Sequence, residues 1–478
     1  MYDVCIIGAG VVGANIAREL SRYQLKICVL DREDDVSCGC SKANSGIVHG
    51  GYSDKPGTLK AELCVKGNRM YAQLDAQLHF GYREIGSYVL AFDQESLATL
   101  QRLYEQGQQN GVGGLELIDG EEMRRREPHV SVEVTGALYC AQAGVTSPYE
   151  FVIALMENAV ANGVELKLRH EVLQLEKISD HFLITTSQGT LTSRFVINAA
   201  GAHSDRIAAM AGLNDYQITP RRGQYILLSK AQNHLANSVI FQVPTALGKG
   251  ILVTPTYHGN LMLGPNAEEI DDKDDVSTDE ETLRFIAQTA RLSVPGFDMR
   301  QALTSFAGNR PVSNQKDWVI DDSRLPGLVN LIGIDSPGLT SSPAIALKVV
   351  TLLQDSGLKL EAKPNFQAQR APIIQPKDAA FQGDTSHTDP ALHLICRCES
   401  VTEAEILDCF RRGLPVLSVD AVKRRTRAGM GLCQGTFCGP RVRALLAQEL
   451  QVKPEDIPQR GHSSTLAERA RKTELKKL

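Results

Sequence analysis

The opening stretch, MYDVCIIGAGVVGANIARELSRYQLKICVLDR, admits few folds. DVCIIGAG and KICVLDR are short apolar runs rich in Val and Ile. Between them VVGANIARELSRY has helical periodicity, so the order is strand, glycine turn, helix, strand, which suits a buried parallel sheet. GAGVVG supplies Gly8, Gly10 and Gly13 in the G-x-G-x-x-G pattern. Gly8 permits the turn, Gly10 lets backbone approach a pyrophosphate, and Gly13 lets helix and strand pack closely. The phosphates then meet the free N–H groups at the helix N-terminus. Asp31 ends the second strand, where an acidic side chain is expected to hold ribose hydroxyls. The first prediction is therefore a dinucleotide site.

Two further strand-glycine-helix units follow, RFVINAAGAHSDRIAAMAG and GLVNLIGIDSPGLTSSPAIALKVVTLL. The alternating run SYVLAF and the runs QYILLS, GILVTPT and NLMLGP read instead as an inserted, largely antiparallel sheet. The expected organisation is a first domain from 1–80, 146–215 and 316–357, and a second from 81–145 and 216–315. A proline- and glutamine-containing linker at 358–390 leads to a cysteine-bearing module at 391–450 and a basic tail at 451–478. With 478 residues the chain has length for two or three cores. A formal net charge of -5 argues against a nucleic-acid binder. No apolar run is long enough to cross a membrane. Eleven scattered cysteines suit a reducing compartment, so the expected location is cytoplasmic, with the inner face of the membrane as the alternative.

GAGVVGANIAREL, NSGIVHGGY, VINAAG, FAGNRP and GIDSPGLTSSPAIA occur in that order over residues 1–355. This ordered set resembles the FAD-dependent D-amino-acid oxidase and glycerol-3-phosphate dehydrogenase superfamily. One departure is Asp31, where many relatives carry glutamate. The resemblance implies an α/β architecture: a discontinuous Rossmann-like FAD-binding domain plus an antiparallel-sheet substrate domain covering the flavin ring. It further implies that Gly8, Gly10, Gly13 and Asp31 face the pyrophosphate and adenosine, and that Ser41, Ser45 and Gly46 line the middle of FAD. Val172 is expected near adenine, with Gly201, Gly338, Leu339 and Thr340 closing around the rest.

Oxidising a secondary alcohol over a flavin requires a base for the hydroxyl proton, and imidazole titrates in the useful range. His49 in GIVHGGY and His258 in TPTYHGN are the two candidates, His49 ranked first. By the resemblance, Arg310 in FAGNRPV binds the anionic group of a small hydroxy substrate, which a guanidinium matches bidentately. Tyr52, Tyr257 and Arg222 are weaker candidates for shaping and charging that pocket.

Cys396 and Cys398 form C-x-C, and Cys433 and Cys438 form C-x4-C about thirty-four residues later. Four thiolates suit an iron–sulfur centre or tetrahedral zinc. VKRRTRAGMGLCQGTFC resembles the bacterioferritin-associated-ferredoxin-like [2Fe–2S] domain, which implies a small helical iron–sulfur module and makes zinc the lesser alternative. C-x4-C is longer than the usual final spacing of that ferredoxin and resembles versions fused to flavin dehydrogenases. Cys409, on an intervening helix, reads as core, and Cys38 and Cys40 read as packing.

The leading expectation is thus a FAD- and iron–sulfur-containing dehydrogenase that oxidises glycerol 3-phosphate to dihydroxyacetone phosphate. Its electrons would pass to an acceptor protein or the quinone pool, with peripheral membrane attachment through such a partner left open. The alternatives are an L-2-hydroxyglutarate or other 2-hydroxy acid dehydrogenase or oxidase, an amino-acid oxidase, and a non-catalytic FAD/metal redox scaffold.

Overall fold

A computed structural model describes residues 1–243, 250–321, 324–378 and 380–461. The basic run ERARKTELKKL lies outside the described residues.

Strand β1 (Tyr2–Ile7) runs parallel to β2 (Ile27–Leu30) on one side and to Gly189–Asn198 on the other. Ile7 is in register with both Leu30 and Asn198, so the three strands end level, beside the glycine turn. Leu328–Ile332 and Glu165–Lys167 extend the parallel sheet outward. Helix α1 (Val11–Leu20) covers one face with Pro148–Ala161 and Gly338–Asp355, burying Ile16, Leu20, Phe151 and Ile345. The opposite face buries Cys5, Cys28, Val196 and Ile207. With both faces covered, most residues of the central strands are apolar, and buried Asn198 donates to Asn330 on the neighbouring strand at 2.9 Å.

The second sheet is built around Ile218–Leu228, which pairs along its length with Ala302–Ser313. It runs on through Leu261–Leu263, Val253–Pro255 and Val239–Gln242 to Ser87–Ala91, Gly136–Cys140 and Leu115–Asp119. Its pairing departs once from the expected antiparallel order: Val239–Gln242 lies parallel to Ser87–Ala91. This junction joins two chain segments separated by a long excursion through the first sheet, so no hairpin constrains their direction.

Residues 358–390, expected as a linker, begin as a strap pinned to the first domain. Phe366 lies under the Arg22 guanidinium, Gln367 O accepts from Asn158 and Asn162, and Arg370 pairs with buried Glu157 at 2.6 Å. Proline and glutamine content signalled the lack of regular structure but not these side-chain anchors.

In the C-terminal module Ser418 caps the Val419–Thr426 helix by accepting from Ala421 N–H. This helix carries Arg424 and Arg425 into the first domain. There Asp35 accepts from Arg424 at 2.7 Å and from Arg425 at 2.7 and 2.9 Å. Asp35 is 1% and Arg425 2% exposed. Burial pushes the Asp35 carboxyl up, but Arg425 and Arg424 outweigh it and hold it below the usual carboxylate range. Its contribution to stability is therefore present above the ordinary carboxylate pKa and lost as pH falls through the depressed folded value. Asp35→Ala leaves the buried Arg425 guanidinium without a carboxylate and Arg424 with Asp420 alone, and is expected to destabilise the protein by about 3–5 kcal/mol. Thermal unfolding of the full chain checks this; an unchanged midpoint would remove the pair from its anchoring role.

Candidate active site

The glycine turn is shaped for close approach. Gly8 adopts φ +112°, and a Cβ on Gly13 would stand 2.0 Å from Gly8 O. Asp31 bridges the end of β2 to the turn, accepting from Ala9 N–H at 2.7 Å and from Glu33 N–H at 2.9 Å. Burial pushes its carboxyl above the ordinary range, while those two N–H groups oppose the shift. Ser41 Oγ accepts from Val11 N–H at 2.9 Å, drawing the following loop against the N-terminus of α1.

These groups open onto a cavity of about 1430 Å³, running from the turn to the second sheet. That volume exceeds the usual span of small-molecule sites and has room for an extended dinucleotide. Gly8, Gly10, Asp31, Ser41, Ser45, Gly46, Val172, Gly201, Gly338 and Leu339 all line it. Gly13 lies behind the turn as a packing contact. Thr340 is not in the lining; it is a buried strut whose Oγ1 accepts from His49 N–H at 2.9 Å. The sequence placed Thr340 near the right loop, but helix phase turns its hydroxyl toward the His49 backbone.

At the far end the cavity is lined by His49, Tyr257, His258 and Arg310. A Cβ on Gly308 would lie 2.0 Å from Ala43 O, so the Arg310 strand presses directly on the loop below the turn. Arg310 Nη2 donates to Asn266 O at 2.7 Å and Nε to Arg221 O at 3.2 Å. Carbonyls thus aim the guanidinium without neutralising it, and among the described residues no carboxylate lies within 4.0 Å of it. His258 Nε2 is engaged with Glu150 at 2.8 Å. Burial lowers its pKa while Glu150 opposes that shift.

Two weaker candidates sit elsewhere. Arg222 is buried away from the lining and committed to Glu268 and Asp275 at 2.9 and 2.7 Å. Strand alternation puts its neighbour Arg221 on the cavity side instead. Tyr52 is packed in the core beneath, its hydroxyl 3.4 Å from Ser87 Oγ. Its loop passes the site, but the side chain points inward.

The four module cysteines converge as two pairs. Cys396 shares a hydrogen bond with Cys438, and Cys433 shares one with Cys398. The bond with Cys438 and surrounding backbone N–H groups lower the Cys396 thiol from its ordinary value. Tetrahedral zinc would gather all four sulfurs within about 3.8 Å of one another. Among the described residues, the trio of potential ligand atoms that meets within 4.8 Å is Glu33, Asp34 and Cys38, not three of these thiols. Cys409 is buried core, with its thiol pushed up to about 12 by burial.

Sequence reasoning missed how the module meets the cavity. Arg427, Met430 and Gln434, all within the cysteine loop or just before it, line the same cavity as the glycine turn. Arg427 donates to Glu399 at 2.9 Å and to Tyr149 Oη at 2.8 Å. The Arg-rich run VKRRTRAG carried the signal as an excess of cations on a helix with buried positions.

The chain matches the family model "FAD dependent oxidoreductase" over residues 3–352. It belongs to the FAD dependent oxidoreductase family. Residues 394–448 of this FAD dependent oxidoreductase match the "BFD-like [2Fe-2S] binding domain" model. The chain is 45% identical to a glycerol 3-phosphate dehydrogenase of Caloramator mitchellensis, over 99% of this chain and 100% of that one. It is 32% identical to the mitochondrial L-2-hydroxyglutarate dehydrogenase of Homo sapiens, over 56% of this chain and 61% of that protein. The structure resembles that of the FAD-bound L-alpha-glycerophosphate oxidase of Mycoplasma pneumoniae, with TM-score 0.73 and 30% identity, covering 77% of this chain and 98% of that one.

Because the Gly13 Cβ would collide with Gly8 O, Gly13→Val is expected to abolish flavin retention. The check is the absorbance of the purified variant, and a flavin content equal to wild type would contradict this account of the turn.

Proposed function

We propose that the protein oxidises glycerol 3-phosphate to dihydroxyacetone phosphate, using FAD as the immediate oxidant and a C-terminal [2Fe–2S] cluster as the exit for electrons. The observation that carries this is the unneutralised Arg310 guanidinium in the cavity that also receives the cysteine module. The full-length similarity to a glycerol 3-phosphate dehydrogenase, cysteine module included, supports the phosphate as the anion. Bound FAD would supply hydride acceptance, and a cluster held by Cys396, Cys398, Cys433 and Cys438 would supply one-electron transfer to an acceptor protein or quinone.

The chain's own groups do the rest. Arg310 binds the phosphate and so fixes which carbon faces the ring. His49 takes the hydroxyl proton, since its ring lines the cavity and its backbone is held by Thr340 and Asn68. His258, whose Nε2 is engaged by Glu150, is the second candidate. Tyr257, edge-on to His258 at 4.9 Å, walls the pocket on that side.

Under anaerobic conditions glycerol 3-phosphate is expected to bleach the flavin and L-2-hydroxyglutarate to leave it oxidised. The reverse pattern would transfer the Arg310 site to a 2-carboxylate. Arg310→Lys retains charge but loses the planar fork, so KM for the phosphate should rise by about tenfold or more. His49→Asn should lower kcat by roughly 10²–10⁴-fold with flavin content intact. Equal loss in His258→Asn would reassign the base. Cys433→Ser should keep flavin reduction by substrate while losing reduction of an artificial one-electron acceptor; unchanged turnover would remove the cluster from the electron route.

A further inference from the structure

The C-terminal module contributes more to the cavity than its cysteine loop. Asp420, Lys423, Arg424 and Arg460 also line it, from the helix that docks on Asp35 and the segment beyond. Asp420 is engaged by Arg424 at 3.1 Å. Lys423 has no such partner: among the described residues no carboxylate lies within 4.0 Å of its ammonium, and the same holds for Lys42 across the cavity. Burial lowers Lys423 from its ordinary pKa; Asp420 opposes this, while Arg460, Lys42 and Arg427 add to it. Asp420 is the acidic neighbour of this half-buried ammonium, but it is bonded to Arg424, and the remaining charges beside Lys423 are cations, so an anion entering the cavity would offset their repulsion.

The position of that anion follows from Lys42. It succeeds Ser41, whose Oγ accepts from Val11 N–H at the N-terminus of α1, the place to which the glycine turn brings a diphosphate. Arg424, next along the helix from Lys423, donates to Val36 O, and the adjoining Ser37 N–H donates to Ala9 O in the glycine turn, so the helix lies against the loop tied to that turn, and Lys42 and Lys423 both line the cavity there. We propose that Lys423, a residue of the iron–sulfur module, binds the diphosphate of the dinucleotide held by the first domain, with Lys42 on the opposite side. The module then acts as a lid on the cofactor as well as an electron exit, and cofactor retention depends on its docking. This rests on the FAD assignment made above.

Flavin-free full-length protein, with its iron content verified, is titrated with FAD and, separately, with riboflavin, which lacks the diphosphate. Lys423→Gln should weaken FAD binding by roughly tenfold, the range of a charge-assisted contact, and leave riboflavin binding unchanged. Lys423→Arg should restore most of the affinity, and the loss should shrink as salt is raised. Lys453→Gln, a charge removal at an exposed site just beyond the module, should have no effect. Equal FAD affinity in Lys423→Gln and wild type overturns the proposal. So does a change confined to the KM for glycerol 3-phosphate, which would assign the lysine to substrate. Failure of wild-type protein to bind FAD would instead overturn the FAD assignment itself.

Discussion

The contact between the two functional halves of the molecule centres on one buried carboxylate. Asp35 lies just past β2, in the loop that follows the dinucleotide turn, and receives Arg424 and Arg425 from the module. Arg424 also donates to Val36 O, so the contact fixes backbone as well as side chain. Burying three charges is costly unless each is hydrogen-bonded in good geometry, and an apolar contact of similar size would hold the domains at least as firmly. What the ion pairs add is a defined orientation. The guanidinium groups fit only one placement of the helix, and that placement brings Arg427, Met430 and Gln434 to the cavity wall.

A second network sets the other side of the same contact. Glu399, one residue after Cys398, pairs with Lys230 at 3.0 Å and Arg427 at 2.9 Å. Arg427 reaches Tyr149, and the adjacent Glu150 reaches His258. The cysteine loop is thereby linked through polar side chains to the substrate end of the cavity. Neither domain completes the cavity wall alone, which explains why the strap at 358–390 is tied down rather than left loose. A module on a flexible tether would spend little time where electrons could reach it from the flavin.

Much of this was legible in the sequence because it depends on local rules. The turn at Gly8, Gly10 and Gly13, the parallel strands flanking it and the late strand-glycine-helix units follow from apolar runs and backbone sterics. Arg310 was legible through its motif, and the structure brings it to the cavity with His49, Tyr257 and His258. What was illegible depends on facing. Arg221 and Arg222 differ by one position on a strand, and only alternation against the folded neighbour decides which meets the cavity. Tyr52 lies on the right loop and Thr340 in the first turn of the right helix, but both turn inward. The strap looked like a linker because its anchors are single side chains with no periodicity. Lys423 and Arg427 showed in the sequence only as part of a cation-rich helix, since their place at the cavity comes from a domain contact spanning nearly 400 residues of sequence.

The central claim is that electrons from the substrate reach the C-terminal cysteines within one molecule. Its most direct test is freeze-quench electron paramagnetic resonance of the holoprotein, mixed anaerobically with glycerol 3-phosphate and no external acceptor. The account predicts that the signal of a reduced [2Fe–2S] cluster grows in as the flavin is consumed, independently of protein concentration. A flavin fully reduced by substrate beside a cluster that stays oxidised would contradict it.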